Sequence, residues 1–173
     1  MIDIELPYRP VIQALRELAD SLADRRELMG ALAGVMHGAV EDNFAAGGRP
    51  QWVSLHPGTI AGRRKTGHWP GQILQRSGQL AASVTPYSDN DQAVVGTNKA
   101  YAAAHQFGAT TRPHVIKPKV KRALAFGGVV VRQVNHPGSK IPARPFLMLT
   151  DGDEQELLET AEQFVAQRIK STG

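Results

Sequence analysis

The chain has 173 residues, 42% hydrophobic and 21% charged, which is enough to bury the core of one domain and too apolar for wholesale disorder. It contains no cysteine, which excludes a disulfide framework and thiolate metal sites. The net charge of +4 conceals a strong segregation along the sequence.

Residues 1–48 carry four basic and eight acidic side chains, residues 49–144 carry 14 and two, and residues 145–173 carry two and six. A basic centre between acidic ends has three readings. Clustered Lys and Arg neutralise phosphates on a nucleic-acid-facing surface. Alternatively, the acidic end of one subunit meets the basic middle of the next. The third reading is a solvated surface whose loops favour one sign. No apolar run nears the roughly 20 residues that cross a bilayer, so no membrane contact is expected. Met1-Ile2-Asp3-Ile4-Glu5 lacks the basic-then-apolar order of a signal peptide, and a soluble, unexported protein is expected.

Val11, Ile12, Leu15, Leu18, Ala19 and Leu22 recur at helical spacing and predict a helix over 8–22, with Pro7 and Pro10 near its start. A second helix runs from about Asp24 to Ala45, its stripe of Leu28, Leu32, Val35, Met36, Ala39 and Val40 facing the core. No strong breaker parts the two, so one kinked helix is the alternative. The second helix spaces Gly30, Gly34 and Gly38 four apart, each costing ~1 kcal/mol against alanine. They fall on one face, roughly opposite the leucines, where small residues let another backbone approach. Its occupant is a neighbouring subunit's helix or an intramolecular partner; otherwise this is a poor helix held by its core face.

Residues 45–79 show no periodicity and are rich in Gly, Pro, Trp and basic side chains. An extended basic loop is expected over 47–79, with Trp52, Leu55, Trp69, Ile73 and Leu74 pinning its ends. Arg63, Arg64 and Lys65 in that loop would reach a partner or DNA, whereas Trp52 reads as a core anchor ahead of the alternative, an interface hot spot. A β-rich core follows over 80–148. Leu80–Val84 and Ala93–Val95 predict a hairpin turned at Ser88-Asp89-Asn90-Asp91. Ala100–Phe107 predicts a short helix capped by Thr97 or Asn98 and stopped by Gly108. Val115-Ile116 and Gly128–Val134 predict further strands, and His136-Pro137-Gly138 a turn. Ile141–Phe146 is extended because each proline restrains the residue before it. Thr150 or Asp151 opens a final helix over 150–170 carrying Leu157, Leu158, Ala161, Phe164, Val165 and Ile169. Asp153, Glu154 and Glu156 suit the positive end of its dipole. The sum is one α+β domain over 1–173: N-terminal helices (1–46), the long loop, a small mostly antiparallel β-sheet with long loops, and a C-terminal amphipathic helix.

Chemistry is sparse. His37 lies between helical glycines, and His56, His68, His114 and His136 sit in loops; none pairs at the i,i+4 spacing of a metalloprotease helix, so no metal is expected. Ser77 and Ser139 occupy no nucleophile elbow, and the middle of the chain has almost no carboxylates to orient a base or work as a pair. Gly62-Arg63-Arg64-Lys65-Thr66-Gly67 lacks the glycine spacing and preceding strand of a phosphate loop. No catalytic or cofactor-binding residue is assigned, and the chain reads as a non-enzyme. Lys117, Lys119, Lys121 and Arg122 form a second basic cluster without base-stacking aromatics, which permits DNA-backbone contact but not base readout.

Several segments, taken in order, form a recognisable pattern. They are Phe44 through Arg49-Pro50-Gln51-Trp52-Val53-Ser54-Leu55, then Ile73-Leu74-Gln75-Arg76-Ser77-Gly78-Gln79-Leu80 to Val84. Val95-Gly96-Thr97-Asn98-Lys99-Ala100-Tyr101-Ala102 with His105-Gln106-Phe107-Gly108 follows, and then Ile141-Pro142-Ala143-Arg144-Pro145-Phe146-Leu147. Together they resemble the phage virion-morphogenesis family, which groups Mu-like morphogenesis proteins with tail-completion proteins of related phages, and the resemblance covers roughly residues 40–170. It implies a structural protein of the virion that completes the neck or the head-proximal tail end after assembly in the host cytoplasm. It also implies a ring homo-oligomer, commonly sixfold, around the DNA exit channel. Its partners would be adjacent neck, connector, tail-tube or terminator proteins, with non-specific contact to DNA in the channel. Arg144, between two prolines, is expected to present its guanidinium to a carboxylate partner, with an adjacent subunit as one source. Tyr101 and His105 are one helical turn apart and hydrogen-bond locally or pack. The alternative class is a basic DNA-binding protein acting in packaging or on duplex DNA.

Overall fold

Helices open the chain in the computed structural model, which describes residues 8–120, 122–126 and 128–172. α1 (Tyr8–Ala23) and α2 (Arg26–Ala46) are separate, so the single kinked helix is not formed. The Arg25 backbone N–H leaves the helical ladder to donate to Asn90 Oδ1 at 2.8 Å, and Asp24 accepts from the Arg26 N–H at 3.2 Å. On α1, Leu18 and Leu22 are half-buried, but Ile12, Leu15 and Ala19 of the same stripe are exposed; the Val11 side chain lies outside the described residues. α2 buries Ala39, Val40 and Phe44 on the side read as its core face. It ends where Gly47 takes φ 74° and the Gly48 N–H donates to the Asn43 carbonyl at 2.7 Å.

The segment expected as an extended loop contains a helix, α3 (Pro57–Lys65). Its start is locally encoded: Pro57 presets the first turn, and His56 Nδ1 accepts from the Gly58 N–H at 3.1 Å. No side chain of α3 is buried, so there was no apolar period to read. The expected strand at Leu80–Val84 is instead a 3-10 turn over Ala81–Ser83, closed by Ser83 N–H to the Leu80 carbonyl at 3.1 Å. The strand begins at its end. β1 (Val84–Ser88) pairs antiparallel with β2 (Ala93–Thr97), from Val84 opposite Thr97 to Ser88 opposite Ala93. Their turn falls where read, with the Asp89 carboxylate accepting from the Asp91 and Gln92 N–H groups.

α4 (Ala102–Gln106) is shorter than expected, and neither Thr97 nor Asn98 caps it; Tyr101 stands at its N-cap without a side-chain bond. Thr97 Oγ1 accepts instead from the Lys99 N–H at 3.3 Å. Gly108 stops it with φ 75°, and a Cβ there would crowd Ala143 N and the Ile141 carbonyl at 3.0 Å. The chain then runs out through β3 (Ala109–Thr110), β4 (His114–Ile116) and β5 (Leu124–Phe126), and returns through β6 (Val129–Val131), β7 (Val134–His136) and β8 (Lys140–Ile141). β3 pairs with β8, β4 with β7 and β5 with β6, all antiparallel, which makes one long irregular hairpin. The single strand expected over Gly128–Val134 is split between β6 and β7, which pair with different partners. His136 Nδ1 accepts from the Gly138 N–H at 3.0 Å, giving the expected turn. α5 (Asp151–Thr172) closes the chain. No described helix is long and apolar enough to cross a membrane.

The fold is α+β, but its antiparallel strands form separate two-stranded ladders instead of one sheet. Two compact units result: residues 1–99 with 146–173, and residues 100–145. The β-rich stretch read as one core over 80–148 is therefore divided between them. In the first unit the core gathers on α2. Phe44 meets Trp52 edge-on at 5.8 Å between ring centroids and Phe146 at 5.4 Å, and Val40, Leu80, Val84 and Phe164 are also buried. Trp52 is thus a core anchor, as expected. In the second unit the base of the hairpin is fixed by Arg144 N–H to the His105 carbonyl at 2.7 Å and Thr111 N–H to the Ser139 carbonyl at 2.9 Å.

Candidate assembly surfaces

The strongest polar constellation in the first unit is one that the sequence reading did not assign. Arg49 follows the C-terminal turn of α2 and spreads its guanidinium over three partners. Nε donates to Asn43 Oδ1 at 2.9 Å, Nη2 to the Ala39 carbonyl at 2.8 Å, and both Nη atoms to the Asp153 carboxylate at 3.1 and 2.9 Å. Asn43, wholly buried, turns its amide to the Phe146 and Met148 carbonyls at 3.0 and 2.7 Å. Asp153 in turn accepts from the Thr150 N–H at 2.7 Å while the Thr150 hydroxyl accepts from Asp153 N–H, a reciprocal cap on α5. Burial pushes the Asp153 carboxyl up, but the Thr150 and Arg49 hydrogen bonds outweigh it and hold the group below the usual carboxylate range. The cluster thus ties the end of α2 to the start of α5. The Thr-x-x-Asp spacing was a readable signal for the cap; nothing local marked its link to Arg49.

The glycine face of α2 is open. A Cβ built on Gly34 or Gly38 would meet nothing within 4 Å, and one on Gly30 only Ser88 Oγ at 3.8 Å. No described intramolecular element packs closely on Gly34 and Gly38. Arg63, Arg64 and Lys65 occupy the last turn of α3, where cations suit the dipole. Arg64 and Lys65 are exposed, but half-buried Arg63 donates from Nη1 to the Gln72 carbonyl at 3.0 Å and so serves its own loop. Alongside lies an open cleft of about 320 Å³ between α2 and the 72–84 segment, lined by His37, Val40, Glu41, Phe44, Gln75 and Val84. His37 Nε2 lies 3.2 Å from the Val84 carbonyl and Nδ1 lies 4.0 Å from the Glu41 carboxylate, an arrangement that latches β1 to α2.

Arg144 is not presented at the surface as expected: it is 5% exposed. Burial, and secondarily the Arg144 charge, lower the pKa of His105, favouring its neutral form. His105 and Tyr101 pack edge to face at 6.1 Å between centroids, the packing alternative of the two weighed. Lys117, Lys119 and Arg122 are exposed on the long hairpin; Lys121 lies outside the described residues. His114 and His136 face each other across β4 and β7 with stacked rings 5.0 Å apart. No group of three or more metal-ligating side chains occurs among the described residues.

The sequence profile of the phage virion morphogenesis family matches residues 7–166. The chain is 36% identical over 171 residues to Mu-like prophage FluMu G protein 2 of Haemophilus influenzae, covering 98% of this chain and the whole of that relative. It is 27% identical over 173 residues to the putative capsid assembly protein G of Escherichia phage Mu, covering 98% of this chain and 97% of that one. No solved structure gives a significant match.

Proposed function

The chain belongs to the phage virion morphogenesis family, and we propose that it works as a ring subunit at the head–tail junction, a tail-completion or neck protein surrounding the DNA exit channel. The observation that carries this reading is the family match along nearly the whole chain, with the motifs in order. Its role in that setting is structural, and no residue is assigned to catalysis.

Two features support self-assembly. The charge is divided between surfaces: residues 100–145 carry eight basic and no acidic side chains, while the rest of the chain carries 12 basic and 16 acidic. A ring of identical subunits needs two different patches that fit each other, and opposite charge supplies one such pair. The open glycine face of α2 supplies a place for close backbone approach. The expected partners are further copies of the chain, sixfold by family resemblance, and adjacent neck, connector, tail-tube or terminator proteins in the virion.

The name of the Mu relative supports a second reading, a role in building the capsid itself. The exposed Lys117, Lys119 and Arg122 support a third, non-specific binding to duplex DNA, which would weaken steeply with salt. Particles produced in cells without this chain separate these readings. The neck reading predicts filled heads and finished tails that remain unjoined. Loss of heads would favour the capsid role, heads that form but stay empty of DNA would favour a packaging role, and normal joined particles would overturn the proposal.

A further inference from the structure

The hairpin from Ala109 to Ile141 is a ribbon only two strands wide, with both outer edges unpaired among the described residues. Such a ribbon is marginal in water on its own, and its open edges favour a partner. Val115, Val129 and Val130 are at least half exposed, and Val120 is 98% exposed. Arg112, Lys117, Lys119, Arg122, Arg132 and Lys140 are all exposed, and none makes an ion pair with a described residue. The ribbon therefore presents apolar side chains among cations, with no acidic residue in the whole unit.

α5 presents the opposite. Asp153, Leu157 and Phe164 turn inward, while Leu158, Val165 and Ile169 of the same apolar set are 52%, 38% and 53% exposed. At 100° per residue these three share one line with Asp151, Glu154 and Glu162, all exposed. The outer side of α5 is an apolar line set among carboxylates.

We propose that the ribbon of one copy docks along this outer line of α5 on a second copy. Its valines cover Leu158, Val165 and Ile169, while Lys117, Lys119 and Arg122 meet Glu154 and Glu162. DNA would satisfy the cations but leave both apolar lines in water, and the α5 carboxylates would repel it. Because the two surfaces differ, the contact is heterologous and repeats head to tail until it closes. The proposal rests on the ring reading for the identity of the partner.

Light scattering and sedimentation of the purified full chain, across concentration and salt, test it. Two variants reverse charge at exposed positions: Lys117→Glu with Lys119→Glu and Arg122→Glu, and Glu154→Lys with Glu162→Lys. Circular dichroism checks that each folds. Each variant alone should weaken association about tenfold or more, and an equimolar mixture of the two should restore it, since every contact is then again between opposite charges. Closed rings indifferent to both variants would overturn the docking and leave the ring reading standing. Open chains sensitive to both, and rescued by mixing, would support the docking and overturn the ring. A monomer at every concentration would overturn both, and association only on added duplex DNA would replace the second copy with nucleic acid.

Discussion

Arg49 and Asp153, 104 residues apart, meet through two hydrogen bonds of 2.9 and 3.1 Å, and the same carboxylate caps the helix it begins. The pair joins the end of α2 to the start of α5 through groups that are largely shielded from water. Its strength lies in shared partners: Asn43 and Ala39 accept from the same guanidinium, and Thr150 donates to the same carboxylate. Removing one partner strands the other. Arg49→Met and Asp153→Asn are each expected to cost about 2–4 kcal/mol of unfolding free energy. The double variant should cost clearly less than the sum, as urea denaturation of the four proteins would show. Additive losses would mean that the two residues act independently.

The same carboxylate gives a pH signature. Its folded pKa lies below the ordinary value, so the unfolded chain binds the proton first as pH falls. Its contribution is fully present above about pH 4 and is lost as pH falls from there through the lower folded value. Wild type should therefore lose more stability than Asp153→Asn over that interval. Parallel curves of unfolding free energy against pH for the two proteins would contradict the depressed pKa.

Glycines on either side of the Asn43 cluster should respond in opposite ways. Gly48 has φ 103°, and a Cβ there would collide with the Trp52 indole, so Gly48→Ala is expected to cost about 2 kcal/mol or more. Gly34 lies in an ordinary helix with open space beyond it, so Gly34→Leu should leave the monomer's melting temperature unchanged or raise it, in line with a propensity gain of up to ~1 kcal/mol. If the glycine face receives a neighbouring subunit, the same substitution should abolish association. Unchanged assembly of Gly34→Leu would remove α2 from the interface.

The helices α1, α2 and α5, the β1–β2 turn and the stop at Gly108 were legible because each is encoded by local chemistry: apolar period, an Asp that bonds the next N–H groups, a glycine at positive φ. What was not legible depends on distance. The apolar residues of α5 divide between an inward and an outward face, and a sequence pattern cannot say which of two apolar lines meets the core. α3 stayed hidden for the opposite reason, having no apolar line at all. Arg144 was read as presented to a carboxylate partner, and a charged residue between prolines gives no sign of its burial. The division of charge was visible at the outset, and the structure adds that half of its basic part, seven of 14 side chains, falls within the hairpin over 109–141.

The central claim is that this chain forms a ring at the head–tail junction, and cryo-electron microscopy of purified particles tests it most directly. The prediction is a ring of density between head and tail, coaxial with the DNA channel, into which copies of the α2–α5 unit fit with Gly34 facing a neighbour. Density for the chain in the capsid shell, or purified particles that contain no copy of it, would contradict the account.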